Sequence, residues 1–236
     1  MKILTKKPAV KEMVAESFFG SSLERILCWS TGKDSTATAI LAKMYGERID
    51  EIITVLPDPF KEELNLLKKF EAFMDMKVTI VPSPTFEDYF YRKKVRGKHI
   101  GTIYGWPFTA YKTCARILKW EPMQEYCKGR NCSFLLGIAK GENRKVLEPN
   151  ESLLLKYGLT EDDARDLCRR HGLLNPLYNH FKRLGCVRCP KQGKDSLRKV
   201  REIEPKKFQW CLEHDAESPV KFKPNKTFCE FVEENL

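Results

Sequence analysis

The chain has 236 residues, of which 42% are hydrophobic and 31% are charged, values typical of a globular protein rather than a disordered or fibrous one. No apolar stretch reaches the ~18–20 residues that a membrane span requires, and residues 1–7 lack the hydrophobic core of a secretion signal. We therefore expect a cytoplasmic protein that does not associate with membranes. The net charge of +10 favours a polyanionic partner such as tRNA or DNA, although a solvated basic surface would give the same value.

Apolar periodicity predicts strands that alternate with helices in the first 150 residues. The predicted order is a helix at 8–22, a buried strand at 26–29, a helix that reaches residue 45, a strand at 52–56, a helix at 62–74 and strands at 77–81 and 134–138. This alternation is typical of a doubly wound, mostly parallel α/β sheet, which binds its ligand at the carboxyl ends of the strands. Residues 83–131 contain no convincing strand and are expected to form an insertion that covers the ligand site.

The rest of the chain is predicted to be a helical C-terminal region. Thr160 and Asp163 form a capping-box pattern, and His171-Gly172 is a helix stop signal, so a helix is expected between them. Residues after 191 keep helical spacing. We therefore expect two parts, residues 1–150 and residues 151–236, within one globular unit.

The most informative segment is the polar turn at residues 30–35, Ser-Thr-Gly-Lys-Asp-Ser, between a buried strand and a helix. In this geometry the first backbone N–H groups of the helix are unpaired and, with the helix dipole, form an anion site suited to a phosphate. Lys33 adds a positive charge, and Ser30, Ser35 and Thr36 add hydroxyl donors. The segment matches neither a Walker A loop nor a dinucleotide fingerprint. The simpler interpretation is a polar turn with an N-capping serine.

The polar turn resembles the Ser-Gly-Gly-Lys-Asp-Ser pyrophosphate loop of the N-type ATP pyrophosphatases, with Thr31 in place of the first glycine. The resemblance implies that the turn binds the phosphates of ATP and that Lys33, Asp34 and Ser35 serve catalysis. Asp34 is then the expected carboxylate for Mg²⁺. Asp58 ends the second strand and can either bind a ribose hydroxyl or merely start a turn. The nucleotide contacts predicted here are Ser30, Thr31, Gly32, Lys33, Ser35, Thr36 and Asp58.

The cysteine turn, defined as residues 185–190, carries the second signal. Cys186 and Cys189 are three residues apart between Gly185 and Pro190, a spacing at which both thiols can bind one metal or one cluster. With nine cysteines and no export signal, thiols or metal ligands are expected rather than disulfides. The candidates for two further ligands are Cys114, Cys168, Cys127, Cys132 and Cys211. Each alone can equally be a small buried apolar residue.

Four segments together resemble the 3′-phosphoadenosine 5′-phosphosulfate (PAPS) reductase family: the polar turn, residues 114–122, residues 137–142 and residues 168–190. The resemblance implies an adenine nucleotide alpha hydrolase-like domain with a 4Fe–4S cluster, Zn²⁺ being the alternative metal. The implied cluster ligands are Cys114, Cys168, Cys186 and Cys189, although Cys168 also fits a buried helix face. Gly137, Glu142 and Arg144 are the implied further nucleotide contacts.

These features predict an enzyme that adenylates a substrate with ATP, releases pyrophosphate and transfers sulfur with the help of the cluster. One alternative is a phosphoadenosine or adenosine phosphosulfate reductase with Cys229 as nucleophile, although the chain lacks the Glu-Cys-Gly-Leu-His tail of the assimilatory enzymes. Another is a non-enzymatic nucleic-acid-binding module stabilised by Zn²⁺. The basic residues at 92–98 and 182–207 are the expected contacts with a nucleic acid. The acceptor, the sulfur donor and the oligomeric state are not predicted.

Overall fold

Four parallel strands form the central sheet. The computed structural model describes residues 23–108, 110 and 112–236, and its strands are β1 (Glu24–Cys28), β2 (Glu51–Thr54), β3 (Val78–Ile80) and β4 (Cys132–Leu135). They lie in the order β3–β2–β1–β4, and all three pairings are parallel. The predicted α/β class with a parallel sheet is confirmed, and the helix predicted at 8–22 lies outside the described residues.

Helices pack on both faces of this sheet. Those of the described segments are α1 (Lys33–Tyr45), α2 (Lys61–Met74), α3 (Phe86–Tyr91), α4 (Thr113–Ala115), α5 (Glu121–Tyr126), α6 (Leu153–Lys156), α7 (Glu161–Arg170), α8 (Lys194–Ile203), α9 (Pro205–His214) and α10 (Phe228–Asn235). None of them is long and apolar enough to cross a membrane.

Side-chain alternation along the strands determines which helices cover which face. Leu27 and Ile52 pack on one face in a cluster with residues of α1, α2 and α7. Their neighbours Ile26 and Ile53 point to the other face and pack with Met123 of α5. Strand β1 is therefore buried on both sides, as the uninterrupted apolar run in its sequence predicts.

The polar turn lies where the sheet changes its winding direction. It connects β1 to α1, and β1 has β2 on one side and β4 on the other. In open parallel sheets a ligand crevice forms at this point, outside the carboxyl ends of the strands. The order of the strands thus puts the polar turn at the edge where a ligand is expected.

The insertion at 83–131 is divided between two cores. Its first half carries α3 and Trp106, which pack with the C-terminal helices in an aromatic cluster that includes Phe208 and Phe228. Its second half carries α5 onto the sheet. The insertion contributes no sheet strand among the described residues, only an antiparallel bridge between Lys93 and Ile103.

The predicted capping box and stop signal of α7 are both confirmed. Thr160 Oγ1 accepts the Asp163 N–H, and the Asp163 carboxylate accepts the Thr160 N–H at 2.9 Å. The helix ends at Arg170, and Gly172 adopts the left-handed conformation with φ +66°. That conformation suits glycine because it has no Cβ.

Gly137 allows the chain after β4 to touch the first turn of α1. A Cβ built on Gly137 would lie 2.5 Å from the Ser35 backbone nitrogen and 2.7 Å from the Asp34 carbonyl carbon. The predicted strand at 134–138 ends early, at Leu135, and Ile138 then donates its N–H to the Leu136 carbonyl at 3.0 Å, a tight turn centred on Gly137. The apolar run continues past the strand because this loop is itself packed against α1.

We expect Gly137→Ala to lower the free energy of unfolding by about 1–3 kcal/mol, the usual cost of overpacking, because the contacted atoms are backbone and cannot move alone. Urea unfolding measures the loss. Gly193→Ala is the matched control, since a Cβ there meets nothing within 4 Å. Equal stabilities of the two variants would contradict the close approach.

Candidate functional site

The hydroxyl group of Ser35 closes the polar turn. Ser35 Oγ accepts the Ser30 N–H at 3.0 Å and donates to the Gly32 carbonyl at 3.1 Å. Gly32 precedes α1 in an extended conformation and supplies no side-chain cap. Thr36 faces the core, where its hydroxyl accepts the indole N–H of Trp29 at 2.9 Å. Two of the three predicted hydroxyl donors line cavities beside the turn: Ser30 lines both cavities described below, and Ser35 lines the second.

Thr31 stands where the loops that this turn resembles have glycine. Its φ is +60°, a left-handed conformation that a β-branched residue rarely adopts. Two contacts hold it there: its hydroxyl donates to the buried carboxylate of Glu63, and its carbonyl accepts Asn175 Nδ2 at 3.2 Å. Thr31 is fully buried and lines neither of the cavities beside the turn, so the predicted nucleotide contact is corrected: this residue fixes the turn from the protein side.

Lys33 is held between two carboxylates. Its Nζ lies 2.8 Å from Asp34 Oδ1 and 2.7 Å from Oε2 of Glu161, the first residue of α7. Burial lowers the pKa of Lys33, but its hydrogen bonds to both carboxylates outweigh burial and raise the pKa above its ordinary value. Its backbone N–H donates to the Tyr178 hydroxyl at 3.0 Å. The ammonium is therefore charged and fixed in place.

Negative charge is in excess around Asp34. Burial raises the pKa of this carboxyl, Lys33 lowers it in part, and Glu161 and Glu142 raise it again. Glu161 has its own pKa lowered by the hydrogen bond from Lys33. Glu161 and Tyr178 were not among the predicted site residues. Glu161 lies inside a capping pattern that already has a structural explanation, and Tyr178 reaches Lys33 from 145 residues away in sequence.

Two adjoining cavities open beside the polar turn. The first is polar and has a volume of about 220 Å³, and the second is more apolar and has a volume of about 600 Å³. The polar turn, Lys119 and Arg144 form walls that both cavities share. The first cavity is also lined by Asp58, Glu63, Glu142, Glu161, Tyr178 and Cys186. The second is also lined by Cys28, Ile53, Val55, Trp120, Met123 and Gly137.

The loop after β4 brings the other predicted contacts to these cavities. Gly137 borders the second cavity, Glu142 the first, and Arg144 both. Glu142 accepts the Ala139 N–H at 2.9 Å and the Arg144 guanidinium at 2.7 Å. The Arg144 side chain is 63% exposed, so it can turn toward a ligand while Glu142 stays fixed.

Asp58 is engaged by the cysteine turn rather than free for a ribose. Its Oδ1 lies 2.9 Å from Arg188 Nη2, and its Oδ2 accepts the Arg188 backbone N–H at 3.1 Å. Arg188 also lies 4.8 Å from the ring centres of Phe86 and Trp210. Lys207 Nζ adds a further charge 3.3 Å from Asp58. The predicted ribose contact is therefore corrected: Asp58 fixes the cysteine turn at the carboxyl end of β2.

Three cysteine thiols lie close together, and one of them, Cys186, lines the first cavity. Burial raises the pKa of each thiol, and in addition Cys186 raises that of Cys114, Cys114 raises that of Cys189, and Cys189 raises that of Cys186. Thiols in such proximity suit an iron–sulfur cluster or Zn²⁺. In the part of the chain that the structure describes, no three Cys, His, Asp or Glu side chains are already arranged as metal ligands, so binding requires the thiols to turn toward one another.

Cys168 is not brought to these three cysteines. It is fully buried on α7, its Sγ lies 3.2 Å from the Lys33 carbonyl, and its charged neighbours are Asp34 and Lys33. Cys168 therefore lies on the buried face of α7, which is the alternative that the sequence left open. The other cysteines also lie apart: Cys28, Cys127 and Cys132 on the α5 side of the sheet, Cys211 near Arg188, and Cys229 with its Sγ 3.6 Å from the Leu212 carbonyl.

A π-helical segment adds a cation that the sequence did not reveal. Helix α4 continues through a π-helix at Arg116–Trp120 into α5, and such segments often occur at functional sites. Lys119 borders both cavities and lowers the pKa of Cys114 and Cys186. Residue spacing carries no signal for a π-helix, so Lys119 was not among the predicted contacts.

We expect Arg188→Ala to lower the free energy of unfolding by about 3–5 kcal/mol, because the buried Asp58 carboxylate loses its guanidinium partner and its remaining ion pair, with Lys207, is longer. Urea unfolding measures the change. Arg169→Ala breaks an exposed pair with Asp166 and should cost less than about 1 kcal/mol. Similar losses in the two variants would show that the buried pair has no special role.

Comparison with known proteins gives relatives but no family, because no family model matches this chain. The chain is 24% identical to two uncharacterized proteins of Methanocaldococcus jannaschii, MJ0973 and MJ0066. The alignments cover 76% and 84% of this chain, and 44% of each relative. The chain thus spans less than half the length of these relatives, whose names state no activity.

Proposed function

We propose that the protein is an ATP pyrophosphatase-type enzyme of the PAPS reductase family that adenylates a substrate and passes it on for sulfur transfer. The observation that carries this proposal is the first cavity, whose walls include both Lys33 of the polar turn and Cys186 of the cysteine turn. Stabilising the fold does not require a lysine of a polar turn and a cysteine of a distant turn to line one cavity. They belong together in a site that activates a substrate and delivers sulfur to it.

Lys33 is the residue proposed to hold the β- and γ-phosphates. At present its ammonium is neutralised by Asp34 and Glu161, so a triphosphate would exchange with Glu161, which is 54% exposed and can move away. The substrate oxygen then attacks the α-phosphorus, the bond to the β-phosphate oxygen breaks, and pyrophosphate leaves. Lys33 stabilises the charge that develops on the leaving group, so the protein acts by position and electrostatics.

Asp34 is the proposed carboxylate for Mg²⁺. Its pKa is raised by burial and by two further carboxylates, Glu161 and Glu142, which is the excess negative charge that a divalent cation would relieve. Oxygen ligands of this type suit Mg²⁺, which is commonly held by one or two carboxylates and the phosphates of the substrate. The residues present therefore fit a magnesium nucleotide at the polar turn.

The second cavity suits the adenosine. It opens at the carboxyl ends of β1 and β2, where Cys28, Ile53 and Val55 line it, and Trp120 offers an exposed ring. Such a mostly apolar volume with a few polar groups is typical of a nucleoside site. Because the polar turn lines both cavities, one nucleotide would place its base in the second cavity and its phosphates in the first.

Cys114, Cys186 and Cys189 would hold the 4Fe–4S cluster, with Zn²⁺ as the alternative metal. When bound, the cluster would bind and polarise the sulfur atom that is delivered. We leave Cys168 out of the proposed set because its thiol is buried between α7 and α1, so the proposed set has three thiolates. Lys119, which lowers the pKa of two of these thiols, favours their deprotonated form.

The position of Cys229 favours the ATP reaction over sulfonucleotide reduction. A reductase would need this thiol to reach the nucleotide, but Cys229 lines neither cavity. It packs against Leu212, and burial followed by its hydrogen bond to Asp215 raises its pKa to about 11. A partly buried, protonated thiol that lies away from both cavities is poorly placed to attack sulfur.

We expect Lys33→Gln to raise the dissociation constant of magnesium ATP by about 10- to 100-fold, since a charged hydrogen bond is worth about 1.5–3 kcal/mol. Isothermal titration calorimetry measures the change, and Lys69→Gln on the exposed side of α2 is the control. Wild-type affinity in Lys33→Gln, with the control unchanged, would remove the polar turn from the nucleotide site.

We also expect anaerobically purified protein to contain about four iron and four sulfide per chain. Replacing Cys114, Cys186 or Cys189 by serine should remove the visible absorption, whereas Cys168→Ser and Cys28→Ser should retain it. Iron and acid-labile sulfide analysis checks each variant. Loss of the cluster in Cys168→Ser alone would restore the four-cysteine set, and one stoichiometric Zn²⁺ without iron would favour the structural-metal alternative.

A further inference from the structure

A third cavity lies on the far side of the cysteine turn. It is an open groove of about 870 Å³, formed by residues 180–185 on one side and by residues 189–196 on the other. The segment from Lys182 to Gly185 also lines the first cavity. Cys186 faces the first cavity and Cys189 borders the groove, so the cysteine turn separates the two spaces.

The groove is positively charged, and its four cations form no salt bridge within the described residues. Lys182, Arg183, Lys191 and Lys194 are exposed and border it. None of the four side chains forms a salt bridge with another described residue. The single acidic residue of the groove, Asp195, already pairs with Arg198 at 3.2 Å. The groove therefore presents an unneutralised cationic surface next to the cysteine turn.

Two further features of the groove point to a ligand with bases as well as phosphates. The exposed ring of His180 packs edge-on against Phe181 at 6.5 Å, which leaves a flat face for stacking. Gln192 donates Nε2 to the carbonyls of Cys186 and Val187, each at 2.8 Å. Its Oε1 is buried without a hydrogen-bond partner in the described part of the chain. A base amino group or a sugar hydroxyl would supply the missing donor once the Gln192 side chain turns toward the groove.

We propose that this groove binds the sugar–phosphate backbone of a single-stranded nucleic acid and leads it to the cysteine turn. The inference rests on the proposed function in one respect: it names the class of substrate whose base is adenylated in the first cavity. Cations without partners, an exposed ring and an unsatisfied acceptor match a strand with phosphates, bases and hydroxyl groups. An acidic peptide would use the cations only.

The test is fluorescence anisotropy with a labelled oligouridylate of roughly 12 nucleotides, within the usual range of single-strand sites. Binding is measured over a series of salt concentrations for the wild-type protein and for the double variant Lys191→Gln/Lys194→Gln. Neither lysine borders the first cavity. The control is Lys68→Gln/Lys69→Gln, which removes the same charge from exposed positions of α2. We expect the slope of log K against log salt to fall by about 1.4 in the groove variant, which is about 0.7 for each lost phosphate contact.

An unchanged slope in the groove variant, or equal losses in the groove and control variants, would overturn the proposal. So would preferential binding of polyglutamate, which would assign the groove to an acidic protein. Titration of magnesium ATP into the same wild-type preparation separates this inference from the proposed function. If the salt slope falls in the groove variant but the wild-type protein does not bind ATP, the groove proposal stands and the ATP reaction is refuted. If the wild-type protein binds ATP but the slope is unchanged in the groove variant, the ATP reaction stands and the groove proposal is refuted.

Discussion

The buried ion pair between Asp58 and Arg188 connects the two halves of the site. The residues are 130 positions apart in sequence, yet the Asp58 carboxylate at the end of β2 accepts both the guanidinium and the backbone N–H of Arg188. Both side chains are almost completely buried, and the rings of Phe86 and Trp210 both contact the guanidinium. Because Arg188 stands between Cys186 and Cys189, this pair determines where the thiols lie relative to the polar turn.

The charges around the polar turn are arranged as the proposed binding of a charged ligand requires. Lys33 is buried and fully charged, and its counter-ions are Asp34 and Glu161. The nearby carboxylates Glu142 and Glu161 raise the pKa of Asp34, so negative charge remains in excess around it. The phosphates of a magnesium nucleotide would replace Glu161 as the partner of Lys33, and its Mg²⁺ would neutralise Asp34. The cost of burying these charges is compensated only when they are paired, which explains why Glu161 neutralises Lys33 without a ligand.

The sheet and the polar turn could be predicted because their signals are local. Apolar runs mark the strands, alternation with helices predicts parallel pairing, and the capping box marks the start of α7. Cys168 and Asp58 were harder to interpret because their roles depend on distant partners. Whether Cys168 is a ligand or a core residue depends on how α7 packs on α1, and Asp58 became a structural anchor only through Arg188. Lys119 reaches the site through a π-helix, for which composition and spacing carry no signal.

The most direct test of the central claim is an anaerobic crystal structure of the protein with a non-hydrolysable magnesium ATP analogue. We expect the triphosphate to contact Lys33 and the backbone of the polar turn, with adenosine in the apolar cavity beside β1 and β2. Metal density should be held by Cys114, Cys186 and Cys189 beside the first cavity, which Cys186 lines and the triphosphate would occupy. A nucleotide bound elsewhere, or a metal held by Cys168 away from that cavity, would contradict the proposal that one site combines ATP chemistry with thiol chemistry.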